Sequence, residues 1–364
     1  MDYQIFKNAK YRNINFFSAD DDSMICFCEQ RSIGGLFCYF TTPLICKPKT
    51  KSDMQEASQR AEPSQKTVDF YRVITRQVTR ELEQGRIPWR RTLKHPYIGF
   101  AKNYYSGHKY RGINWLLLNL MTNYEVPYYL TWNQIKRLGG NVLKGTKSSE
   151  VFYFNSYYRD KSGAIMSVVQ AQKMEAKHEE VHRICYMKKH CVFNIACTKG
   201  INWQEPECFR EYDAITHCDM ILDTMQEKPT IKHQEEFDAY YNPVLDQIIL
   251  PQFKRFNAPE TYYVLLFHSL VHWTGNIKRL ARPGIMDSTL AEYSIYTEES
   301  LVAELGACML TAIVGIEQIT QIKEDSDDIA AWLQALEEDK RLIFRAASRA
   351  QQAVDFILSN SVVQ

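Results

Sequence analysis

The spacing of hydrophobic positions changes several times along the chain, and each change marks an element. Phe70, Val73, Ile74, Val78 and Leu82 fall at helical spacing, and the run stops at Gly85 with Pro88 just beyond, which predicts a helix over about 67–84. Ile113–Met121 is apolar nearly all round, the pattern of a buried helix opened by Asn114. Tyr128–Trp132 reads as a strand or short extended entry, and Thr131 is suited to cap a helix over Trp132–Leu138 that ends at Gly139-Gly140. Val151–Tyr158 and Tyr186–Ile195 are rich in β-formers, with a charged insert, helical or looped, around 170–181 between them. A helix over about 212–226, an extended 239–241 and Gln247–Leu250, an edge strand bounded by Pro243 and Pro251, come next. The remainder is helical, at about 259–274, 296–314 and, with breaks, 326–360.

The fold class is therefore α+β: a basic α+β domain followed by a mainly helical one. Residues 1–50 have no sustained period and 47–66 are polar, charged and Pro/Ser-containing, so 1–65 are expected to be an extension and linker with poor order. The domains are expected at 66–200 and 210–364.

A length of 364 residues supports two cores and rules out a single disulfide-stapled module. The longest apolar stretches, such as Ile33–Cys46, are interrupted and fall short of the roughly 20 residues that cross a bilayer. Ten cysteines are scattered without a repeating spacing, and Cys26, Cys28, Cys38 and Cys46 do not follow a standard zinc pattern. No basic segment followed by an apolar export signal is visible, so the expected location is the cytoplasm.

Charge alters the picture more than composition does. Residues 66–162 hold 17 Lys and Arg against 6 Asp and Glu, a balance of +11; since the whole chain carries +1, the rest carries −10. The basic stretch also holds 18 of the Phe, Tyr and Trp residues. Cations that track phosphates beside rings that stack on unpaired bases are the two resources of single-strand binders, so the expected partner is single-stranded DNA.

The sharpest constellation is YVLLFHSLVHWTG at 263–275. His268 and His272, four apart, share one helix face at the spacing of a tetrahedral Zn²⁺ site. On the downstream helix EESLVAELGACML at 298–310, Glu299, Ala303 and Gly306 form one stripe, an acid beside small residues that let a second helix approach. Glu304, with Ala307, Cys308 and Thr311, forms a competing stripe. The third ligand is thus Glu299 or, as the alternative, Glu304. Ser269 occupies the position of the glutamate that acts as general base in His-Glu-x-x-His. A serine cannot take the water's proton as a carboxylate does, so peptidase activity is expected to be weak or absent.

These segments resemble the ArdC-type antirestriction proteins of plasmids and other mobile elements. The match runs in order through LEQGRIPWR at 82–90, SGHKYRGIN at 106–114, LTWNQIKRLGGNVLKGTKSSEVFYF at 130–154, YYNPVLDQIILP at 240–251, LFHSLVHWTG at 266–275, EESLVAELGA at 298–307 and EEDKRLIFRAASRAQQAVDFIL at 337–358. The resemblance implies an N-terminal domain that binds single-stranded DNA and a C-terminal zincin-like metallopeptidase domain, with Zn²⁺ on His268, His272 and one of the two glutamates. The chain departs from the family's His-Glu-x-x-His and following Trp/Ser-Thr-Gly-His at Ser269 and Asn276. Residues 1–65 match nothing in that family.

Candidate DNA contacts are the rings and cations beside Gly and charge: Trp89, Arg90, Arg91, Tyr104, Tyr105, Lys109, Tyr110, Arg111 and Asn114, with Lys144 and Lys147 around Gly145 as a second set. Trp89, following Pro88, is an equally good core residue; Trp115 and Trp132, in apolar surroundings, are assigned to the core. The function so implied is antirestriction, shielding DNA that enters as a single strand by occupying it. The alternative is an active zinc metallopeptidase, localised to DNA by its first domain, with a host protein as target.

Overall fold

The computed structural model describes residues 69–90, 100–122, 124–205, 214–285, 293–316 and 326–359. The expected extension, its linker and the four early cysteines lie outside them. The chain forms two compact units, one of residues 67–151 and 190–364 and another that contains 152–189.

In the larger unit, α1 (Phe70–Glu83) is capped by Asp69, whose carboxylate accepts from Arg72 N, and it buries the stripe Ile74, Val78 and Leu82. A single 3-10 turn, Pro88–Arg90, follows. Strand β1 (Lys102–Asn103) precedes α2 (Ile113–Trp115), which runs on as a π turn over Leu116–Leu120. That segment is apolar all round because it is buried, as at Trp115, Leu116 and Leu118. Strand β2 (Tyr128–Thr131) pairs in parallel with β1 and leads into α3 (Trp132–Arg137). The entry to α3 is a capping box: Thr131 Oγ1 accepts from Gln134 N, and Gln134 Oε1 accepts from Thr131 N at 2.8 Å. After β3 (Asn141–Val142) the chain enters β4 (Ser149–Asp160).

The smaller unit holds the outer part of β4, then β5 (Ile165–Met166), α4 (Val168–Glu175) and the first part of β6 (Val181–Asn194). β5 folds back antiparallel on β4 with Arg159 opposite Ile165. The charged insert is α4, opened by a second capping box between Ser167 and Gln170.

Back in the larger unit, the end of β6 pairs antiparallel with β2, and β7 (Thr198–Lys199) with β3. Helix α5 (Ala214–Thr224) is followed by β8 (Thr230–Gln234), β9 (Tyr240–Asn242) and β10 (Gln247–Pro251). β10 is the central strand of this sheet, parallel to β8 and antiparallel to β9, not an edge strand. Its continuous buried run Ile248–Pro251 is what a strand covered on both faces requires, and Pro251 is tolerated because it is the last residue.

Four helices complete the unit: α6 (Pro259–Thr274), α7 (Tyr293–Val314), α8 (Ser326–Glu338) and α9 (Leu342–Leu358). Every residue from Leu301 to Val314 is buried, so α7 is the central helix, with α6 and α9 packed on it. Gly306 sets how closely α6 approaches, since a Cβ there would lie 2.7 Å from Val271 Cγ2. The N-terminal segment closes onto these helices. Helix α1 packs on α8, Tyr71 meets Phe344 edge-on at 4.7 Å, and Trp89 meets Trp332 at 5.5 Å. Gly112 N donates to Gln351 Oε1 and Arg111 pairs with Asp355. These contacts are why residues 69–151 share a compact unit with the C-terminal helices. Among the described residues no helix is long and apolar enough to cross a membrane.

Two tryptophans define opposite expectations. Trp89 is 0% exposed, so Trp89→Ala should lower stability by about 3–5 kcal/mol in urea unfolding. Trp132 is 49% exposed, and Trp132→Ala should change it by less than about 0.5 kcal/mol.

Candidate functional site

Helix α6 has Pro at its first turn and one nearly continuous apolar surface, against which His268 and His272 stand out. Their rings lie 5.0 Å apart between centroids, so the i, i+4 spacing does bring them together. The facing helix α7 runs antiparallel. His272 Nδ1 is 3.1 Å from Glu299 Oε1, and His268 Nδ1 is 3.5 Å from Glu304 Oε2. Each imidazole therefore meets a different glutamate, and both expected stripes of α7 face α6.

Both carboxylates are buried, and each is already held by an arginine. Arg282 makes a bidentate fork on Glu299, Nε to Oε2 at 2.9 Å and Nη2 to Oε1 at 2.8 Å. Its remaining bonds go to Thr274 Oγ1 at 2.8 Å and Val271 O at 2.6 Å. Gly275 leaves the room, since a Cβ there would sit 2.8 Å from Arg282 Nη2. Arg90, from the turn after α1, donates through Nε to Glu304 Oε1 at 2.5 Å.

Burial by itself would raise both glutamates. The hydrogen bonds from Arg282 and His272 hold Glu299 below the usual carboxylate range, and those from His268 and Arg90 do the same for Glu304. His272 is pushed down by burial, against the opposing hydrogen bond to Glu299. Its Nδ1 must carry the proton, because its partner is an ionised carboxylate.

Zinc sites take three or four protein ligands. Here two imidazoles are the only donors not already shared with an arginine, and among the described residues no group of three or more His, Cys, Asp or Glu is arranged to hold a metal ion. A Zn²⁺ on His268 and His272 would have to share a carboxylate with one of these arginines. Ser269 is 1% exposed and its hydroxyl has no hydrogen-bond partner among the described residues, so it neither faces solvent nor stands in for a general base.

Asn276 also serves structure. Its Nδ2 donates to Tyr241 OH at 2.7 Å, within a network in which Tyr241 OH donates to Asp246 Oδ1 at 2.8 Å and Arg279 pairs with Asp246. The Arg279 guanidinium lies 3.9 Å from the centroid of the Trp273 ring.

The candidate DNA contacts divide sharply. Trp89, Tyr110 and Asn114 are core residues, closed off by the helices behind them, and this corrects their assignment as contacts. Arg90 is largely buried on Glu304, whereas Arg111 pairs with Asp355 and keeps its side chain part-exposed. Lys109 is half-buried beside Lys102 and Arg111; burial first and then these charges push its pKa down. Tyr104 is half-buried against Tyr128 at 5.2 Å. Tyr105, Lys144 and Lys147 are exposed, and Arg91 lies outside the described residues.

Trp132, assigned to the core, is instead an exposed ring with Lys136 Nζ 5.3 Å from its centroid. It opens α3 with its back to Phe193, and the cap at Thr131 turns it outward. The loop that carries Tyr105 is fastened to the same helix start. Asn103 Nδ2 donates to Gln134 Oε1 at 2.9 Å, and Gln134 Nε2 to Asn103 Oδ1 at 3.1 Å. Exposed Tyr105 and Trp132 thus stand on segments tied to each other. Sequence reasoning also missed Arg282, whose only signal is its place shortly after the Thr-Gly that ends α6.

The Asp246 network gives a pH prediction. Arg279 foremost, helped by Tyr241 and opposed by burial, lowers Asp246 from 3.8 to about 2. A depressed carboxylate contributes stability that is complete above 3.8 and is lost as pH falls through about 2. Asp246→Asn should therefore lower the urea midpoint by a constant amount above pH 3.8, and the gap to wild type should narrow between 3.8 and about 2.

The chain matches two families in order. Residues 68–193 match the N-terminal domain of anti-restriction factor ArdC, and 218–349 match a zincin-like metallopeptidase. The crystal structure of the antirestriction ArdC protein from plasmid R388 is similar in its metal-free form. It is 32% identical with a TM-score of 0.64, over 80% of this chain and 98% of that one. The Mn(II)-bound form of the same protein is 31% identical with a TM-score of 0.61, over 81% and 99%. The DNA primase TraC of Escherichia coli is 26% identical over 315 residues, 84% of this chain, which spans only 21% of the primase. With both domains matched in order and a solved relative covered almost end to end, the chain belongs to the ArdC antirestriction family.

Proposed function

We propose that this protein protects incoming DNA by binding it as a single strand, and that its zincin-like domain supports this without hydrolysing peptide bonds. The observation that carries the reading is the pair of exposed rings, Tyr105 and Trp132, on the tied segments at the start of α3. Lys136 and Arg137 on α3, and Lys144 and Lys147 beyond it, are exposed cations in the same stretch of chain. Exposed rings that can stack and exposed cations that can meet phosphate suit a strand whose bases are unpaired. The names of the relatives agree, one being an antirestriction protein and the other a DNA primase.

Occupancy is enough for protection, because a coated strand is closed to a nuclease and no bond need be cut. Hydrolysis lacks its base, since Ser269 is buried and is no carboxylate. No observation favours a host protein as substrate.

The test uses fluorescence anisotropy with a labelled oligonucleotide and transfer of an unmodified plasmid into a restricting host. Trp132→Ala and Tyr105→Ala should each weaken single-strand binding by roughly 5- to 150-fold, the equivalent of about 1–3 kcal/mol for a lost stack. Lys144→Ala and Lys147→Ala should each reduce the slope of log K against log salt by about 0.7. Plasmid establishment should fall in step with affinity. Ring variants that bind as tightly as wild type would refute the assignment.

A further inference from the structure

The loop that carries Tyr105 closes a short hairpin whose base holds two half-buried lysines. Lys102 and Lys109 are antiparallel bridge partners, and the bonds on either side of them run from Asn103 N to His108 O at 2.8 Å and from Tyr110 N to Ala101 O at 2.7 Å. That pattern makes them a non-hydrogen-bonded pair, the kind in which the Cα atoms approach to about 4.5 Å and the side chains stand closest. Like charges directly opposite are destabilising, so the chain accepts a local cost at this position. We propose that Lys102 and Lys109 form a clamp for one phosphate group, supplied by the backbone of a single strand of DNA. The source of the phosphate rests on the single-strand reading above, whereas the clamp itself does not.

Three features carry the inference. The carboxylate that faces Lys109 is Asp355, and it already pairs with Arg111 and accepts from Gln351 Nε2 at 3.1 Å, so the two lysines and Arg111 together outnumber it. The crowding acts on Lys109, whose pKa is lowered by burial first and then by Lys102 and Arg111. An anion held between the ammonium groups reverses that effect and is bound more tightly for it. Secondly, the clamp is pre-shaped. Lys102 N donates to Pro127 O at 2.7 Å, and Asn103 is turned inward, bonded to Gln134 and Ser106, which turns its strand neighbour Lys102 outward. Thirdly, Gly107, with φ of 71°, makes the loop tight, and its N–H donates to Asn103 O at 2.8 Å. Exposed Tyr105 is thereby kept within about 10 Å of extended chain from Lys102. A strand that stacks a base on Tyr105 has its backbone within reach of the clamp.

The test uses full-length protein in two arms. In the first, anisotropy of a labelled single-stranded oligonucleotide is followed over a range of salt for wild type, Lys102→Ala, Lys109→Ala and the double variant. Each single variant should weaken binding, and the double variant should reduce the slope of log K against log salt by about 0.7 in total, the share of one phosphate. In the second arm, thermal unfolding is measured in inorganic phosphate and in NaCl of the same ionic strength. Phosphate should raise the Tm of wild type and leave that of the double variant unchanged. In NaCl the double variant should melt at the wild-type Tm or above it, because a repulsion has been removed. Wild type that binds no single strand but is stabilised by phosphate would refute the single-strand source and keep the clamp. Lysine variants that bind with the wild-type slope, together with a wild-type Tm indifferent to phosphate, would overturn the clamp and leave the single-strand reading standing.

Discussion

Two glutamates buried on the central helix determine what surrounds them. Glu299 and Glu304 are both buried on a helix whose residues 301–314 are all closed to water, and a carboxylate there is tolerated only with a cation and enough hydrogen bonds to replace hydration. The chain meets this demand from two directions. Arg282 returns from the segment just beyond α6, and Arg90 arrives from residues far earlier in sequence, which draws the turn after α1 onto α7. The Trp89–Trp332 contact and the packing of α1 on α8 complete the same closure. Residues 69–151 of the stretch matched by the ArdC N-terminal family thus share one compact unit with the helices matched by the zincin-like family.

That sharing settles which cations are free. Arg90 and Arg111 raise the positive charge of the N-terminal stretch on paper, yet in the fold they neutralise Glu304 and Asp355. The charge that remains for a polyanion is smaller than the sequence balance, and among the described residues it includes Arg72, Arg76 and Arg80 on α1 as well as Lys136, Arg137, Lys144 and Lys147 on α3 and beyond it. Rings divide in the same way. Those that follow the chain inward, Trp89 and Tyr110, become core, while Trp132 and Tyr105 stay outside on a helix start that the Asn103–Gln134 pair makes rigid. A rigid ring loses little entropy on stacking, and that favours a compact platform over a flexible basic tail.

Much of this was legible in the sequence. The periods of α1, α6 and α9, the Thr131 cap, and the placing of His268 and His272 on one face of α6 all follow from local rules, because they depend on neighbours within a few positions. The failures share one cause. β10 is central because β8, a short polar strand with little β-rich pattern, pairs beside it, and Pro251 misled by marking an end that an edge strand would share. Trp132 follows the apolar run Tyr128–Leu130, yet the cap at Thr131 directs it outward. The partnerships of Arg90 with Glu304 and of Arg282 with Glu299 span 214 and 17 residues, and charge patterning along a chain carries no signal at such separations.

The proposed grip on single-stranded DNA rests on exposed rings and cations, and it can be measured directly. The most direct measurement is anisotropy of a single-stranded and a duplex oligonucleotide, titrated with full-length wild-type protein over a range of salt, with and without EDTA. Tight single-strand binding and much weaker duplex binding are expected, with a slope near −0.7 per phosphate neutralised and the same curves in EDTA. Equal affinity for duplex, or single-strand binding that disappears in EDTA, would contradict it.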